Sequence, residues 1–227
     1  MTDPTDTLFA YFDRRGADGY SGEAVTQEAH ALQCAALAEA AGAGEALVVA
    51  ALLHDLGHLI HNAGVIRPNL VEAAEVRDIE ILASLHLAAP LILLKAVLPA
   101  MKAKRHGRVI MLSSRAALGA PTRTAYSATK AGIIGMGRTW ALELAPHGIT
   151  VNMIAPGPIG STNMFHEIVP AGSERERALA RSIPVGRLGT PEDVTNAVMF
   201  FAGANAGFVT GQVLYVCGGA SVGSVSL

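Results

Sequence analysis

A serine pair, a tyrosine and a lysine are the side chains whose spacing first indicates chemistry in this 227-residue sequence. Ser113 and Ser114 follow a short apolar run, Tyr126 comes twelve residues after Ser114, and Lys130 follows four residues later. Residues at i and i+4 share one helix face, so the Lys130 ammonium would stabilise the Tyr126 phenolate and lower the pKa of the phenol. A serine hydroxyl beside them could hydrogen-bond a carbonyl oxygen during proton transfer. The pattern predicts acid–base chemistry on a carbonyl or an alcohol.

Two apolar runs predict the elements that position these side chains. Residues 109–112 end in the serine pair, and residues 149–154 end in Pro156-Gly157. Short apolar runs with a helical segment between them are typical of buried parallel strands, here with a helix at residues 125–145 beginning near Thr124. Open α/β sheets bind ligands at the carboxyl ends of their strands. We therefore expect the reactive residues to meet at that edge of the sheet.

The motifs around this unit resemble those of the short-chain dehydrogenase/reductase family. Asn62-Ala63-Gly64 is similar to the family's N-N-A-G element, with His61 in the place of the first asparagine. Further matches are Leu98-Pro99-Ala100-Met101, Ile183-Pro184 through Arg187, Pro191-Glu192-Asp193, Thr210-Gly211-Gln212 and Gly218-Gly219. The resemblance covers about residues 56–227. It implies an α/β, Rossmann-like fold and an oxidoreductase that uses NAD or NADP on a small carbonyl or secondary alcohol.

The resemblance also implies a role for each matching residue. Ser114, Tyr126 and Lys130 correspond to the family's catalytic trio. Ser113 is the alternative serine, because the loop to the tyrosine is one residue short. His86 falls where the family usually has a catalytic asparagine, and a histidine can still hold a water or donate a hydrogen bond. Cofactor contacts are implied for Tyr126 and Lys130 and for Asn62, Ala63, Gly64, Pro156, Gly157, Ile159 and Thr162.

Residues 1–60 depart from the family pattern. The sequence contains no T-G-x-x-x-G-x-G turn, whose backbone amides and following helix would hold the cofactor pyrophosphate. Helices are predicted instead at residues 6–15, 26–41 and 45–56, with Thr26 as an N-cap and Gly42 as a stop. We therefore expect a truncated fold with a reduced parallel sheet of about four strands. NAD(P) binding is expected to be weakened, because only the nicotinamide-ribose side is retained.

A second resemblance covers residues 18–60, which are similar to the opening of HD-domain metal-dependent phosphohydrolases and their di-iron oxygenase relatives. It implies that His30, His54 and Asp55 bind a divalent metal such as iron, a mixed N/O ligand set. Substrate-side or supporting roles are implied for Tyr20, Glu23 and His58. The later helices of that family, with its remaining ligands, have no match. A packing element without metal is therefore the alternative interpretation.

The two resemblances divide the chain into a helical HD-like segment, residues 1–58, and a dehydrogenase-like portion, residues 59–227. Residues 57–64 at the join suit either a continued helix or a strand, and we favour a strand at residues 59–61. Beyond the join we predict one or two helices at residues 72–101, interrupted near Ala89-Pro90. A loop-rich segment at residues 158–182, a helix at residues 193–201 after Thr190-Pro191 and a strand at residues 212–216 complete the prediction.

The composition of the chain indicates which binding partners and which compartment to expect. A net charge of −2 gives no electrostatic reason to expect nucleic acid or an anionic membrane as a partner. Two cysteines make no disulfide framework, which suits a reducing cytoplasm. The most apolar window, residues 85–101, is expected to be too short and too interrupted to span a bilayer.

The strand before Asn62 is expected to be a sheet edge that the N-terminal helices or a second subunit covers. Since the helices at residues 72–101 and 125–145 form the oligomer surface in the resembling family, we expect a homodimer or homotetramer. Two alternatives to the oxidoreductase remain open. The first is a non-catalytic binding or structural protein, and the second is a metal-dependent hydrolase or oxygenase remnant.

Overall fold

The computed structural model describes residues 57–160, 162–166 and 168–222. Its four strands form one parallel sheet in the order β1-β2-β3-β4. The strands are β1 at His58–His61, β2 at Gly107–Leu112, β3 at Ile149–Pro156 and β4 at Val213–Val216. The α/β architecture and the parallel sheet are confirmed. The helical interpretation of residues 57–64 is wrong, because β1 pairs in register with β2 from His58 to His61.

The two central strands, β2 and β3, are buried on both faces, as continuous apolar runs predict. Val109 and Met111 pack with the helices on one face of the sheet, whereas Ile110 and Leu112 pack against Phe201 on the other. This alternation follows from the two-residue period of a strand. The sheet is therefore a layer between two sets of helices, and its carboxyl edge is fixed from both sides.

Six α-helices are described with the sheet: α1 Val76–Ala83, α2 Ala89–Lys104, α3 Thr124–Leu144, α4 Asn163–His166, α5 Glu174–Ser182 and α6 Pro191–Ala202. A single π-helical turn, Ser84–Ala88, joins α1 to α2 without a break. The interruption predicted near Ala89-Pro90 is therefore wrong. Pro90 is tolerated because it lies in the first turn of α2, directly after the π turn. A missing backbone N–H is least costly at this position.

The joined helix Val76–Lys104 spans 29 residues and is long and apolar enough to cross a membrane by length and composition alone. The expectation that the window at residues 85–101 is too short is therefore wrong on length. Leu94, Val97 and Met101 bury one side of this helix in the core, whereas Ile92 remains 49% exposed. The helix is thus a layer of the fold whose outer side presents apolar surface.

The segment at residues 158–182, predicted as loop, contains α4 and α5. Ser173 caps α5 by accepting a hydrogen bond from the Glu176 amide at 3.2 Å. The Glu176 carboxylate in turn accepts from the Gly172 amide at 2.6 Å. A serine followed three residues later by glutamate is a recognised helix-start pattern, so the sequence carried a signal for α5 that the prediction missed.

Candidate active site

A cavity of about 990 Å³ lies at the carboxyl edge of the sheet. The turns after β1, β2 and β3 form one side of it, and the first two turns of α3 form another. Ser114, Tyr126 and Lys130 line this cavity, as do all the residues expected to contact the cofactor: Asn62, Ala63, Gly64, Pro156, Gly157, Ile159 and Thr162. The parallel sheet brings these separate stretches together because all of its strands end on the same side.

Lys130 is a buried cation at the base of the cavity. Its side chain is 3% exposed, and its Nζ donates a hydrogen bond to the Leu112 carbonyl at 2.7 Å. The Nζ atom lies 5.5 Å from the centre of the Tyr126 ring. Burial lowers the pKa of Lys130 from 10.5 to about 8. The ammonium is therefore still the main form at neutral pH, yet it is held in an unfavourable environment.

Tyr126 behaves differently from the sequence expectation. Burial raises the pKa of its phenol above the ordinary value, while a hydrogen bond from Ser114 and the charge of Arg123 oppose that rise. The predicted lowering of this pKa is wrong in the structure, because desolvation of the phenolate outweighs the favourable charges. Tyr126 therefore carries its proton at neutral pH and is suited to donate it.

The two serines have different surroundings. Ser113 is 3% exposed, and its hydroxyl donates to the backbone carbonyl of Lys130 at 2.7 Å. Ser114 is partly exposed, and its Oγ accepts from the Ala116 amide at 3.1 Å at the start of a short 3₁₀ turn. Ser114 therefore presents its hydroxyl to the cavity beside Tyr126, whereas Ser113 ties β2 to α3.

His86 lies behind the cavity wall in the π turn and is fully buried. Its Nε2 accepts from the Val65 amide at 3.3 Å, which assigns the ring proton to Nδ1, 2.8 Å from Thr129 Oγ1. Burial and the charge of Lys130 lower the pKa of His86 to about 4. The ring is therefore neutral, and both of its nitrogens have protein partners. It also packs edge-on against Tyr126, with the ring centres 5.7 Å apart.

His61, which the motif comparison noted only as a substitution, ends β1 beside this cluster. It is 3% exposed, and neither ring nitrogen has a hydrogen-bond partner. The Leu85 carbonyl acts to raise its pKa but does not reach hydrogen-bond geometry. Burial and the charge of Lys130 prevail, so the pKa of His61 falls to about 4. No sequence pattern indicated such an environment for this residue.

Gly64 separates the two basic groups at the back of the cavity. A Cβ at this position would lie 3.1 Å from His86 Nε2 and 3.4 Å from Lys130 Nζ. We expect Gly64→Ala to push the His86 ring, which the added Cβ would crowd at 3.1 Å, and to lower kcat/KM about tenfold while the fold is retained, because His86 packs against Tyr126 and small displacements of reacting groups are costly. Steady-state kinetics with circular dichroism checks this. Gly135→Ala, a site on α3 with no heavy atom within 4 Å of the added Cβ, is the matched control.

The predicted metal ligands His30, His54 and Asp55 lie outside the described residues, as do Tyr20 and Glu23. Within residues 57–160, 162–166 and 168–222, no group of three or more His, Cys, Asp or Glu side chains could hold a metal ion. His58 is described and lies in β1, so it does not belong to the helical segment predicted for residues 1–58. Its Nε2 is 3.0 Å from the Ala202 carbonyl, at the end of β1 away from the cavity.

A nicotinamide cofactor fits part of this arrangement. Lys130 presents a cation to the cavity, and Gly64 and Gly157 line it, Gly64 beside Lys130 Nζ and Gly157 in close approach to Cys217. The sequence has no Gly-rich turn of the T-G-x-x-x-G-x-G type for the pyrophosphate. The residues expected to contact the nicotinamide and its ribose therefore line this cavity, while the sequence offers no such turn for the diphosphate.

Comparison with known proteins identifies the family. The family model described as enoyl-(acyl carrier protein) reductase matches residues 6–221. The match includes all of residues 18–60, the stretch interpreted above as similar to HD-domain proteins, and that interpretation gains no support. The chain is 41% identical over 164 residues to (2S)-((R)-hydroxy(phenyl)methyl)succinyl-CoA dehydrogenase subunit BbsD of Thauera aromatica, covering 72% of this chain and 64% of the relative. It is 38% identical over 170 residues to the 3-oxoacyl-(acyl-carrier-protein) reductase FabG of Rickettsia bellii, covering 74% of this chain and 69% of that relative.

A solved gluconate 5-dehydrogenase from Burkholderia cenocepacia, in complex with NADP and tartrate, matches with a TM-score of 0.70 and 26% identity. The match covers 87% of this chain and 72% of that one. The chain thus spans a little less than two thirds of the length of BbsD and somewhat more of the other two proteins. On the family match and these identities, the chain belongs to the short-chain dehydrogenase/reductase family.

Proposed function

We propose that this protein is an NAD(P)-dependent oxidoreductase that interconverts a carbonyl and a secondary alcohol at Ser114, Tyr126 and Lys130. The observation that carries the proposal is the buried Lys130 ammonium beside a protonated Tyr126 on the wall of a large cavity. A bound nicotinamide would supply or accept the hydride. In reduction, Ser114 orients the substrate oxygen and Tyr126 donates a proton to it. Lys130 stabilises the phenolate that Tyr126 becomes.

The substrate class follows from the cavity and from the relatives. Their printed names include a 3-oxoacyl-(acyl-carrier-protein) reductase and a dehydrogenase of an acyl-CoA. Arg115, Arg123 and Arg175 line the cavity together with apolar residues such as Phe165 and Leu179. Guanidinium groups suit the phosphates of a CoA or a phosphopantetheine thioester, and the apolar wall suits an acyl chain. We propose 3-oxoacyl thioesters as the first substrates to test, with NADH and NADPH.

The assignment of the serine is tested by two variants. Ser114→Ala is expected to lower kcat by about a hundredfold, because a donor to the reacting oxygen is lost. Ser113→Ala is expected to lower the free energy of unfolding by about 1 kcal/mol, because a buried hydrogen bond to α3 is lost, with a smaller effect on kcat. Stopped-flow reduction of an acetoacetyl thioester and urea unfolding measure the two effects. The opposite ranking in kcat would transfer the catalytic role to Ser113.

Cofactor binding is proposed to be weaker than a complete dinucleotide site would allow, since the diphosphate lacks a Gly-rich turn. The second candidate is a binding or structural protein derived from the same fold, for which no dinucleotide binding and an intact oligomer are expected. Metal-dependent chemistry at His30, His54 and Asp55 is the third candidate. It requires iron or manganese that co-purifies with the chain and is lost in a His54→Ala variant.

We further propose a cytoplasmic homodimer or homotetramer. The support is the apolar outer side of Val76–Lys104, where Leu91 is 43% and Ile92 is 49% exposed. Strand β1 is also an edge of the described sheet, with Ile60 46% exposed. Sedimentation velocity at micromolar concentration checks the assembly. A single species with the mass of one chain would contradict the proposal.

A further inference from the structure

The cavity at the carboxyl edge of the sheet is strongly basic. None of the described residues that line it is an aspartate or a glutamate, whereas four are cationic: Arg115, Arg123, Lys130 and Arg175. A cavity with charges of one sign attracts ligands of the opposite sign. Among the three arginines, only Arg123 contributes to the pKa shift of Tyr126. Arg123 is therefore the guanidinium to consider next to the reacting centre.

Arg123 lies at the start of the helix that carries the proton donor. It is the N-cap residue of α3, three residues before Tyr126, and its carbonyl accepts from the Ser127 amide at 2.6 Å. Helical residues three apart have Cβ atoms about 5–6 Å from one another. The charge of Arg123 opposes the rise in the pKa of Tyr126, so the two groups interact electrostatically. A group bound by Arg123 would therefore lie a few bonds from the oxygen that Tyr126 protonates.

The protein holds the Arg123 guanidinium from one side only. Its Nη1 donates to Thr122 Oγ1 at 2.6 Å and to the Thr122 carbonyl at 3.3 Å. The N–H groups on its Nη2 and Nε have no partner among the described residues, and no described acid forms an ion pair with it. Adjacent N–H groups on one edge of a guanidinium match the two oxygens of a carboxylate. Arg123 is thus an oriented donor pair on the cavity wall without an anion.

The backbone at Thr122 keeps this guanidinium in place. Thr122 has a φ of 64°, a left-handed conformation that is rare for a β-branched residue. Its carbonyl also accepts from the Asn69 amide at 3.0 Å, so the segment after β1 fixes the turn from the other side. Strained residues persist where surrounding contacts over-determine them, and they are concentrated at ligand-binding positions. The Arg115 guanidinium, in contrast, has no hydrogen bond to a described residue that would fix its direction.

We propose that Arg123 is a specificity-determining residue that binds a free carboxylate on the acyl group of the substrate. The preferred substrate is then a 3-oxoacyl thioester whose chain ends in a carboxylate, that is, the monothioester of an oxo dicarboxylic acid. The inference rests on the proposed function, because it names which 3-oxoacyl thioesters the site prefers. A carboxylate three bonds from the oxo carbon bridges about the 5 Å of one helical turn. Arg115 and Arg175 remain available for the phosphates of the carrier.

Two thioesters of N-acetylcysteamine test the proposal, because this carrier has no phosphate that an arginine could bind. The 3-oxoadipyl thioester has a carboxylate at the sixth carbon, and the 3-oxohexanoyl thioester has a methyl group there. Saturation-transfer NMR with NADP⁺ present measures the Kd of each without turnover, and reduction with NADPH measures kcat/KM. Arg123→Gln, Arg123→Lys and Arg115→Gln are compared with the wild type. Arg138→Gln, exposed on α3 and outside the cavity lining, is the matched control.

The wild type should prefer the 3-oxoadipyl thioester about thirtyfold, because a carboxylate on a guanidinium forms strong, charge-assisted hydrogen bonds. Arg123→Gln should reduce this preference to about threefold or less, through Kd and KM more than through kcat. Arg123→Lys should keep about tenfold, because a lysine supplies the charge without the paired donors. Arg115→Gln and Arg138→Gln should retain the wild-type preference.

Equal binding and equal reduction of the two thioesters by the wild type would overturn the inference and leave the oxidoreductase function intact. A preference that Arg123→Gln keeps, or that Arg115→Gln abolishes, would also overturn it. If Arg123→Gln weakened the binding of free coenzyme A and left the preference unchanged, the guanidinium would bind a carrier phosphate instead. A preference in Kd that Arg123→Gln removes, without reduction of either thioester by any of the proteins, would uphold the carboxylate site and contradict the oxidoreductase function.

Discussion

Replacing Tyr126 with phenylalanine is expected to lower kcat for carbonyl reduction by about a thousandfold or more. The change removes only the hydroxyl whose proton the mechanism needs, and general-acid groups contribute effects of this size. Burial raises the pKa of Tyr126, so the wild-type group is protonated and ready to donate at neutral pH. The ring keeps its edge-on contact with His86, and the fold should be unaffected. Single-turnover loss of nicotinamide absorbance measures the effect.

Tyr215→Phe provides the control, since Tyr215 lies in β4 and is absent from the residues lining the catalytic cavity. The Tyr126→Phe protein should bind cofactor as the wild type does, because the hydroxyl acts in the chemical step. If Tyr126→Phe kept more than about a tenth of the wild-type kcat, the role assigned to its proton would be wrong. If it lost cofactor binding instead, the residue would belong to binding rather than to proton transfer.

Replacing Lys130 with methionine should abolish turnover and at the same time stabilise the fold at pH 7. Burial lowers the pKa of Lys130 from 10.5 to about 8, a difference of about 2.5 units, which corresponds to a penalty of about 3 kcal/mol for the charged form. The methionine cannot form the hydrogen bond to the Leu112 carbonyl, and this loss offsets about 1–2 kcal/mol of the stability gained by removing the buried charge. We therefore expect a net gain of about 1–2 kcal/mol, as for other buried charges replaced by apolar residues.

The pH dependence of the free energy of unfolding gives a sharper test of the cost of burying the Lys130 ammonium. The pKa of Lys130 in the folded protein lies below its value in the unfolded chain, so between about pH 8 and pH 10.5 the unfolded state binds more protons. Wild-type stability should then rise with pH from about 8 to 10, relative to Lys130→Met. The raised pKa of Tyr126 acts only above about pH 10, outside this comparison. Urea unfolding at several pH values measures both curves. If the unfolding free energies of the wild type and of Lys130→Met changed with pH in parallel, the claim that Lys130 is buried as an unfavourable cation would be wrong.

Much of the sheet could be predicted because its signals are local. The runs ending at Ser114 and at Pro156-Gly157 have the length and composition of buried strands, and each lies where it was expected. The cap formed by Thr190 and Asp193 likewise marks the start of α6. The convergence of these stretches on one cavity follows from parallel topology, whereas the individual lining residues were expected from the resemblance to the family.

Other features depend on tertiary contacts that no short pattern records. The π turn at Ser84–Ala88 aligns His86 with Thr129, and a helix-period pattern contains no sign of this register shift. The pKa of Tyr126 was expected to fall because Lys130 is near in sequence, yet burial by distant segments decides its direction. The lack of hydrogen-bond partners for the buried His61 ring also depends on tertiary contacts. The helical, HD-like interpretation of residues 1–56 remains a prediction outside the described residues.

Calorimetric titration with NADPH and with NADH tests the central claim most directly, with metal analysis on the same sample. The account predicts binding of at least one dinucleotide with a dissociation constant of about 10 μM to 1 mM, that is, about −7 to −4 kcal/mol. The Lys130→Met protein should bind at least tenfold more weakly. Dinucleotide binding with this dependence would place the cofactor at the proposed site. No heat of binding at millimolar NADPH and NADH would contradict the oxidoreductase account and favour a non-catalytic protein built on the same fold.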